Sequence, residues 1–375
     1  MSLKADIVIV GAGVIGLAVA SEVARQNREV YILERNERFG LESSSRNSGV
    51  IHTSIFSPRG SLNAKLCIEG LNLLYGICEK HSIGYKKTGK LLVAITGADV
   101  GGLEMLYKRS DEGIDMKILS EKEMLEMEPD IAGKAAIFLP EAGVVDAYGL
   151  MCYFLGRARD AGAQLVCKSE VTGIDKIAGG YRLTLAEPGG TSTLTTRMLI
   201  NCAGFYSDKV AAMAGIDTVK EDYKIYYFKG EYYSVLPGKG KAISRYLVYP
   251  VLKAGALIGI HTVLDLDGRV RLGPDFYPVD RISYYLDDSR KDIFYKATKM
   301  LFPFIEWDDI EPESAGVMPR RYACDEPFRE YLIRHEQDRG LPGLINLVGI
   351  ESPGLTASPA IGRYVGNLAN EILKN

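Results

Sequence analysis

Three glycines near the start of the chain have the spacing that lets a backbone approach a pyrophosphate. Gly11, Gly13 and Gly16 form the pattern G-x-G-x-x-G. In this pattern the first glycine permits a tight turn, the second allows close approach to phosphates, and the third lets a helix pack closely on a strand. Glu34 follows at the spacing of an acid that accepts hydrogen bonds from ribose hydroxyl groups. These residues predict a dinucleotide site, and the acid favours FAD or NAD over NADP.

The elements around these glycines are those that such a site needs. Residues 5–10 form an apolar run, residues 17–27 have a helical pattern, and residues 29–33 form a second apolar run. The N-terminus of the intervening helix would present free N–H groups and a positive dipole end to the phosphates. The alternative is a glycine-rich turn beside a solvated Glu34, and the strand–turn–helix–strand order disfavours it.

A second polar stretch follows Glu34. Its hydroxyl, amide and guanidinium groups suit a second cradle for a pyrophosphate or a flavin edge, and an ordinary polar loop is the equally weighted alternative. The residues are Ser44, Ser45, Arg46, Asn47 and Ser48. His52 comes shortly afterwards, where the reactive ring of a cofactor could sit. A structural histidine is the alternative reading for this residue.

The other histidines are dispersed along the chain. His261 is predicted to end a strand that covers residues 257–260, in a stretch of antiparallel strands from about 223 to 273. From such a sheet an imidazole can accept a hydroxyl proton near neutral pH, although a satisfied sheet histidine is the alternative. His81 and His335 have charged neighbours and are predicted to be solvated. No group of histidines, cysteines or acids has metal-ligand spacing, so no metal is predicted.

Several arginines and a tyrosine are candidates for binding an anion. An arginine fork binds carboxylate or phosphate through two hydrogen bonds, and a tyrosine adds a neutral donor. The alternative is that they are ordinary surface residues. The candidates are Arg245, Tyr249, Arg320 and Arg321. Near the C-terminus, Gly354 and Thr356 lead into a predicted helix, and their backbone N–H groups could point at a flavin's N1–C2=O edge.

Composition describes an ordinary globular protein. The chain has 375 residues, 47% hydrophobic and 25% charged, with a net charge of −3. This balance gives no reason to expect nucleic acid as a partner. Six scattered cysteines without a C-x-x-C motif are typical of a reducing cytosol. No signal peptide or membrane-spanning run is predicted, so we expect a cytoplasmic protein. Loose contact with the inner face of a membrane through a surface patch stays open.

The pattern of elements predicts an α/β chain with two interleaved domains. A dinucleotide-binding domain of the Rossmann type is expected over residues 1–84, 145–220 and 330–375, where strands and helices alternate. A smaller, antiparallel substrate domain is expected over residues 85–144 and 221–329. Helices are predicted at residues 61–81, 100–110, 121–128, 148–161, 207–214, 289–301 and 358–373.

Taken together, these segments resemble the D-amino-acid-oxidase-like FAD oxidoreductases, and most closely the L-2-hydroxyglutarate dehydrogenase/oxidase group. The resemblance runs from end to end in the order of the family. The segments that carry it are residues 11–16, 44–52, 60–67, 89–91, 143–146, 201–204, 229–233, 249–251, 259–262, 273–275 and 349–356. One position departs from the family, because Met318 stands where members commonly have an arginine near the substrate carboxylate.

The resemblance implies bound FAD and the residues that hold it. These are Gly11, Gly13, Gly16, Glu34, Arg35, Ser44, Ser45, Arg46, Asn47, Ser48, Val171, Ala203, Gly204, Ser352, Pro353, Gly354, Leu355 and Thr356. It also implies oxidation of a small, anionic L-2-hydroxy acid, best L-2-hydroxyglutarate, by hydride transfer to flavin N5. His261 would be the base and His52 would orient the substrate or the flavin. Arg320 or Arg321 would replace the arginine missing at 318.

Other functions remain open at this stage. Glycerol-3-phosphate dehydrogenation and amino-acid or amine oxidation fit the same fold. A flavin-binding protein without catalysis is the alternative from a different class. A quinone, another electron carrier or oxygen would reoxidise the flavin, and the sequence does not select among them.

Overall fold

The computed structural model describes residues 3–110, 113–243, 245–251, 259–323 and 326–374. The chain forms two compact units of nearly equal length. Unit 1 comprises residues 1–45, 147–227 and 318–375, and unit 2 comprises residues 46–146 and 228–317. Both units are mixtures of helix and sheet, so the predicted α/β class is confirmed.

Strands and helices alternate along much of the chain. The strands are β1 (Leu3–Val10), β2 (Val30–Glu34), β3 (Val50–Ile51), β4 (Tyr85–Lys86), β5 (Lys90–Ala94), β6 (Lys117–Ser120), β7 (Ala135–Leu139), β8 (Gly143–Val145), β9 (Gln164–Cys167), β10 (Glu170–Ile177), β11 (Gly180–Glu187), β12 (Gly190–Asn201), β13 (Tyr226–Val235), β14 (Leu247–Pro250), β15 (Thr262–Leu264), β16 (Val270–Val279), β17 (Ile310–Arg320), β18 (Leu332–His335) and β19 (Leu344–Val348). The helices are α1 (Val14–Val23), α2 (Leu62–His81), α3 (Val100–Arg109), α4 (Glu121–Met127), α5 (Ala147–Asp160), α6 (Ser207–Met213), α7 (Pro237–Ile243), α8 (Lys291–Leu301) and α9 (Gly354–Lys374).

A parallel sheet forms the centre of unit 1. Its parallel strands lie in the order β9-β2-β1-β12-β19, and β10, β11 and β18 extend it in antiparallel pairs. Strands buried on both faces need continuous apolar runs, and β1 supplies one in Ile7, Val8 and Ile9. The order β1–turn–α1–β2 confirms the arrangement predicted from the glycines. Helix α1 ends at Val23, earlier than predicted, because Ala24 adopts an extended conformation.

Strand β12 is longer than the sequence pattern predicts. The sequence pattern predicts separate strands at residues 192–196 and 198–202, whereas the structure has one continuous strand that ends at Asn201. One edge of β12 pairs with β1 in parallel from Leu194 to Asn201, and the other pairs with β11 in antiparallel fashion from Gly190 to Thr196. Further along that second edge, Leu199 to Asn201 pair with β19. The backbone therefore stays extended across the predicted break.

Three sheets form unit 2. Their strand orders are β15-β16-β13-β17, β14-β5-β7-β6 and β3-β8-β4. The prediction that residues 246–251 join an antiparallel sheet is wrong, because β14 pairs in parallel with β5, with Tyr249 opposite Leu92. Residues 257 and 258 of the strand predicted at residues 257–260 lie outside the described residues. His261 does not end a strand, because β15 begins at the next residue, Thr262.

Residues 46–84 belong to unit 2, whereas the sequence pattern placed them with the dinucleotide-binding domain. The physical reason is strand pairing, since β3 and β4 both pair with β8. Helix α2 follows β3, and the Ser61 hydroxyl caps it by accepting the N–H of Ala64. Among the residues described, no helix is both long enough and apolar enough to cross a bilayer.

Candidate active site

The glycine turn between β1 and α1 is possible only with glycine at two positions. Gly11 has a φ of +101°, and a Cβ there would lie 2.4 Å from the carbonyl oxygen of Cys202. A Cβ on Gly16 would lie 2.0 Å from the carbonyl oxygen of Gly11. The third glycine, Gly13, precedes α1 in an extended conformation. The turn therefore brings bare backbone and the N-terminus of α1 to the end of β1, as a pyrophosphate site requires.

A cavity of about 160 Å³ opens beside this turn in unit 1. The Glu34 carboxylate lies in its wall and accepts the backbone N–H groups of Ala12 at 3.0 Å and Asn36 at 2.9 Å. These bonds fix the carboxylate where it can also accept hydroxyl groups. Among the predicted cofactor residues, those that line the cavity are Gly11, Gly13, Glu34, Arg35, Ser44, Val171, Ala203 and Gly204. The donor set and the space fit the adenosine and pyrophosphate parts of a dinucleotide.

The N-terminus of α1 receives a side chain from the polar stretch. Ser44 Oγ accepts the N–H of Val14 at 2.9 Å. The Arg35 guanidinium lies over the ring of Tyr206 at 3.8 Å and pairs with Glu42 at 2.8 Å. This contact fixes two further side chains of the cavity wall. Ser44 therefore lies at the helix end, and its role toward the pyrophosphate stays a prediction.

The remaining residues of the polar stretch make other contacts. Ser45 is exposed and its hydroxyl donates to the carbonyl of Glu42 at 3.2 Å. In unit 2, the Arg46 guanidinium lies 3.8 Å from the centre of the Tyr284 ring, and Asn47 Oδ1 accepts the N–H of Gly49. Ser48 hydrogen-bonds to the hydroxyl of the buried Tyr232. Their roles toward the cofactor, like those of residues 352–356 at the start of α9, stay predictions.

Asn201, at the end of β12, joins two strand ends of unit 1. Its Nδ2 donates to Asn346 Oδ1 on β19 at 2.8 Å, and its Oδ1 accepts the N–H of Ala203 at 3.2 Å. Asn346 in turn donates to Glu336 Oε1 at 2.9 Å. All three polar side chains are fully buried, and their bonds satisfy one another. This network fixes the turn at Ala203 and Gly204 in the cavity wall.

The two candidate catalytic histidines and Tyr249 lie in one cluster of unit 2. The His261 imidazole stacks on the Tyr249 ring, with centroids 3.6 Å apart and planes inclined by 22°. His261 Nδ1 lies 2.7 Å from the carbonyl oxygen of Gly259. Because a carbonyl only accepts, Nδ1 carries the hydrogen and Nε2 keeps its lone pair in the neutral ring. His261 is 3% exposed, so burial and these contacts determine its tautomer.

Lys90, which the sequence analysis did not select as a site residue, joins the same cluster. Its Nζ lies 3.3 Å from His52 Nδ1 and 4.2 Å from the centre of the Tyr249 ring. An ammonium only donates, so the charged lysine leaves the hydrogen of a neutral His52 on Nε2. The two histidines therefore have opposite tautomers. His52 offers an N–H donor at Nε2, and His261 offers an acceptor there.

Burial controls the protonation of the cluster. Burial lowers the pKa of His261 to about 3. The nearby Lys90 also lowers this pKa, whereas the hydrogen bond to the Gly259 carbonyl raises it. Burial, Lys90 and His261 lower the pKa of His52 well below its usual range. Burial also lowers the pKa of Lys90 to about 7. Both imidazoles are therefore neutral at neutral pH, whereas Lys90 exchanges its proton in that range.

The arginines predicted to bind an anion do not share one environment. Arg320 is buried in unit 1, and its Nε donates to Glu351 Oε2 at 2.7 Å. Arg321 is half-buried and donates to the carbonyls of Asp222 and Glu330. Arg245 is exposed, in unit 2. Of the four predicted substrate ligands, the structure brings Tyr249 together with the histidines.

The sequence analysis missed site residues of two kinds. Tyr206 and Glu42 line the cavity, but their surroundings in the sequence carry no signal of a site. Lys90 had a signal, because it begins the buried strand Lys-Leu-Leu-Val-Ala, where a charged residue is costly. The described part of the chain contains no group of three or more His, Cys, Asp or Glu side chains that could hold a metal ion.

Comparisons with known proteins agree with this geometry. The family model described as FAD dependent oxidoreductase (DAO) matches residues 6–368. The mitochondrial L-2-hydroxyglutarate dehydrogenase of Arabidopsis thaliana is 30% identical, over 97% of this chain and 83% of its own length. A glycerol 3-phosphate dehydrogenase of Caloramator mitchellensis is 26% identical, over 98% of this chain and 74% of its own length.

A solved structure shares the fold over nearly the whole chain. It is the dithionite-reduced L-α-glycerophosphate oxidase of Mycoplasma pneumoniae with FAD bound, with a TM-score of 0.85 and 26% identity. The match covers 98% of this chain and 95% of that chain. The fold of this chain therefore matches that of a solved FAD-bound enzyme over nearly the whole chain.

Proposed function

The chain belongs to the DAO family of FAD-dependent oxidoreductases, and on this premise we propose that it oxidises a small L-2-hydroxy acid to the 2-oxo acid. L-2-hydroxyglutarate is the proposed substrate. The cofactor is FAD, and its adenosine and pyrophosphate fit the cavity at Gly11, Gly13, Glu34 and Ser44. When bound, FAD supplies the N5 atom that accepts a hydride.

The observation that carries this proposal is the tautomer of His261. Its Nδ1–H donates to Gly259, which leaves the Nε2 lone pair ready to accept the proton of a substrate hydroxyl. As the C–H bond at C2 transfers its electron pair with the hydrogen, the O–H bond gives its proton to Nε2, and the carbonyl of the 2-oxo acid forms. A substrate carboxylate beside the ring favours the imidazolium that results, because an opposite charge raises the pKa.

His52 has the complementary part in the proposed mechanism. Its Nε2–H is a donor, and it suits the orientation of the substrate or the flavin rather than proton removal. The predicted arginine ligands, Arg320 and Arg321, are assigned to the distal carboxylate of the substrate. Positioning and charge would supply most of the rate acceleration.

The test is an anaerobic panel of candidate substrates, followed by the absorbance of the flavin. We expect L-2-hydroxyglutarate to bleach the flavin band and its D-isomer to leave it unchanged. The same preparation is then mixed with oxygen or a quinone to identify the acceptor. Bleaching by amino acids alone would refute the proposal, and a flavin that no compound reduces would indicate a protein without catalysis.

Glycerol 3-phosphate is the second candidate. It is supported by the relative from Caloramator mitchellensis and by the solved glycerophosphate oxidase. In that case Arg320 or Arg321 would hold the phosphate. Bleaching by glycerol 3-phosphate, with none by 2-hydroxy acids, would select this function.

A further inference from the structure

Lys90 is a buried lysine for which the described residues of unit 2 supply no acidic partner. Lys90 begins β5 and is 1% exposed. Buried charges in proteins are normally paired, because an uncompensated ammonium in an apolar environment is costly. In the part of the chain that the structure describes, no ion pair or hydrogen bond joins its Nζ to a carboxylate. The lysine is therefore retained for something other than a structural ion pair.

The groups that face Lys90 come from four segments of unit 2. They are His52 after β3, Tyr249 on β14, His261 before β15 and Cys67 on α2. The one hydrogen bond found for Nζ among the described residues goes to His52, so two of its three N–H groups are available. Burial raises the pKa of the Cys67 thiol to about 12. The thiol is therefore neutral, and Lys90 has no anion beside it.

A second donor in the cluster also lacks a partner. The Tyr249 hydroxyl is fully buried, and among the described residues none hydrogen-bonds to it. Burial raises the pKa of this phenol, so it keeps its hydrogen as a donor. The same ring touches both His261 and Lys90. A cation, a phenol donor and an imidazole acceptor thus lie together, and for each of them at least one polar atom has no partner among the described residues.

We propose that Lys90 and Tyr249 bind the carboxylate that is attached to the reacting carbon of the substrate. This inference rests on the proposed oxidation of a 2-hydroxy acid. A 2-hydroxy acid presents a carboxylate next to a hydroxyl, and these two groups match the ammonium–phenol pair and His261 Nε2. The positive charge of one ammonium balances one carboxylate, whereas a phosphate dianion beside it would keep one uncompensated negative charge. The ammonium also disfavours amino acids, whose own ammonium would lie beside it.

The test measures binding of the 2-oxo product, 2-oxoglutarate, to the oxidised holoenzyme by calorimetry. Lys90→Met keeps the length of the side chain and removes the charge. We expect its dissociation constant to rise about 10–100-fold, since a charged hydrogen bond is worth about 1.5–3 kcal/mol. Lys86→Met, an exposed lysine on β4, is the matched control and should bind as the parent does. Tyr249→Phe should weaken binding by a smaller factor.

The pH dependence separates a charge role from a packing role. Because the pKa of Lys90 is lowered to about 7, the ammonium is present below this pH and is lost above it. We therefore expect the parent's affinity for 2-oxoglutarate to fall as pH rises through 7, whereas Lys90→Arg stays charged and loses less affinity. Both carboxylates of 2-oxoglutarate stay ionised over this range, so the change reports on the protein.

Two results would overturn the inference. Lys90→Met that binds 2-oxoglutarate as tightly as the parent would show that the lysine is not a carboxylate ligand. A Lys90→Arg variant whose affinity falls with pH as much as that of the parent would have the same meaning. The proposed function fails in a different way, because a parent flavin that no 2-hydroxy acid reduces would reject that function whatever the variants bind.

Discussion

The imidazole of His261 stacks on the ring of Tyr249, with centroids 3.6 Å apart. The stack and the bond from Nδ1 to the Gly259 carbonyl hold the imidazole from its face and from one edge. An imidazole held in this way cannot easily flip to exchange its two nitrogens. These contacts therefore determine which nitrogen of His261 would face a substrate in the proposed reaction, and the first prediction depends on this.

His261→Asn should slow anaerobic flavin reduction by about 10²–10⁴-fold, because a positioned base contributes a factor of this size. Binding of FAD and of 2-oxoglutarate should change little. Stopped-flow absorbance measures the rate, and His81→Asn, at an exposed histidine at the end of α2, is the control. Because burial lowers the pKa of His261 to about 3, protonation of His261 should cause no loss of rate between about pH 5 and about pH 8. A variant as fast as the parent would refute the role of His261 as the base.

Gly11→Ala should destabilise the protein by about 2 kcal/mol or more. The Cβ would meet the Cys202 carbonyl, and a φ of +101° is strained for alanine. Gly101→Ala is the matched control, since a Cβ there meets nothing within 4 Å on helix α3, and it should add about 0.5 kcal/mol of stability. Urea unfolding and FAD retention measure both variants. Equal stability of the two variants would contradict the structure of the glycine turn.

Arg320→Ala should destabilise the protein by about 3–5 kcal/mol, because it leaves the buried Glu351 carboxylate without its partner. Adding Glu351→Gln to the Arg320→Ala variant should restore part of the lost stability. Arg321→Ala should affect stability less and should raise the L-2-hydroxyglutarate concentration needed for flavin reduction about tenfold. Thermal unfolding and substrate titration separate the two effects. If Arg321→Ala leaves the titration unchanged, Arg321 is not a ligand of the distal carboxylate.

Lys90→Met should be more stable than the parent at neutral pH, and this advantage should shrink as pH rises. Burial lowers the pKa of Lys90 to about 7 from about 10.5, so between these values the unfolded parent chain binds the proton that the folded chain has lost. The parent's unfolding free energy therefore rises with pH by about 1–2 kcal/mol relative to the variant from about pH 7.5 to about pH 9. Urea titrations at both pH values measure this difference. If the difference in unfolding free energy between the variant and the parent is the same at both pH values, Lys90 does not lose its proton in this range in the folded protein.

Features formed by residues close in the sequence were predicted better than the pairing of strands that are far apart in the sequence. The glycine turn, α1 and Glu34 are close in sequence, and their spacing alone determines how they meet. The parallel pairing of β14 with β5 was not predictable, because alternating apolar residues do not encode the partner of a strand. The position of Lys90 beside His52 and Tyr249 depends on that pairing. The sequence allowed the candidate histidines to be selected one by one, but it did not indicate that they form a cluster with opposite tautomers.

The pairing of β12 also has a consequence for the order of folding. One edge of β12 faces β1, from the first residues of the chain, and part of its other edge faces β19 at residues 344–348. Contacts between such distant segments have a high contact order, and closing long loops slows their formation. During synthesis this part of β12 lacks its neighbour until β19 has left the ribosome. An exposed strand edge is a template for aggregation, so the nascent chain is most vulnerable just before its last strand and α9 are complete.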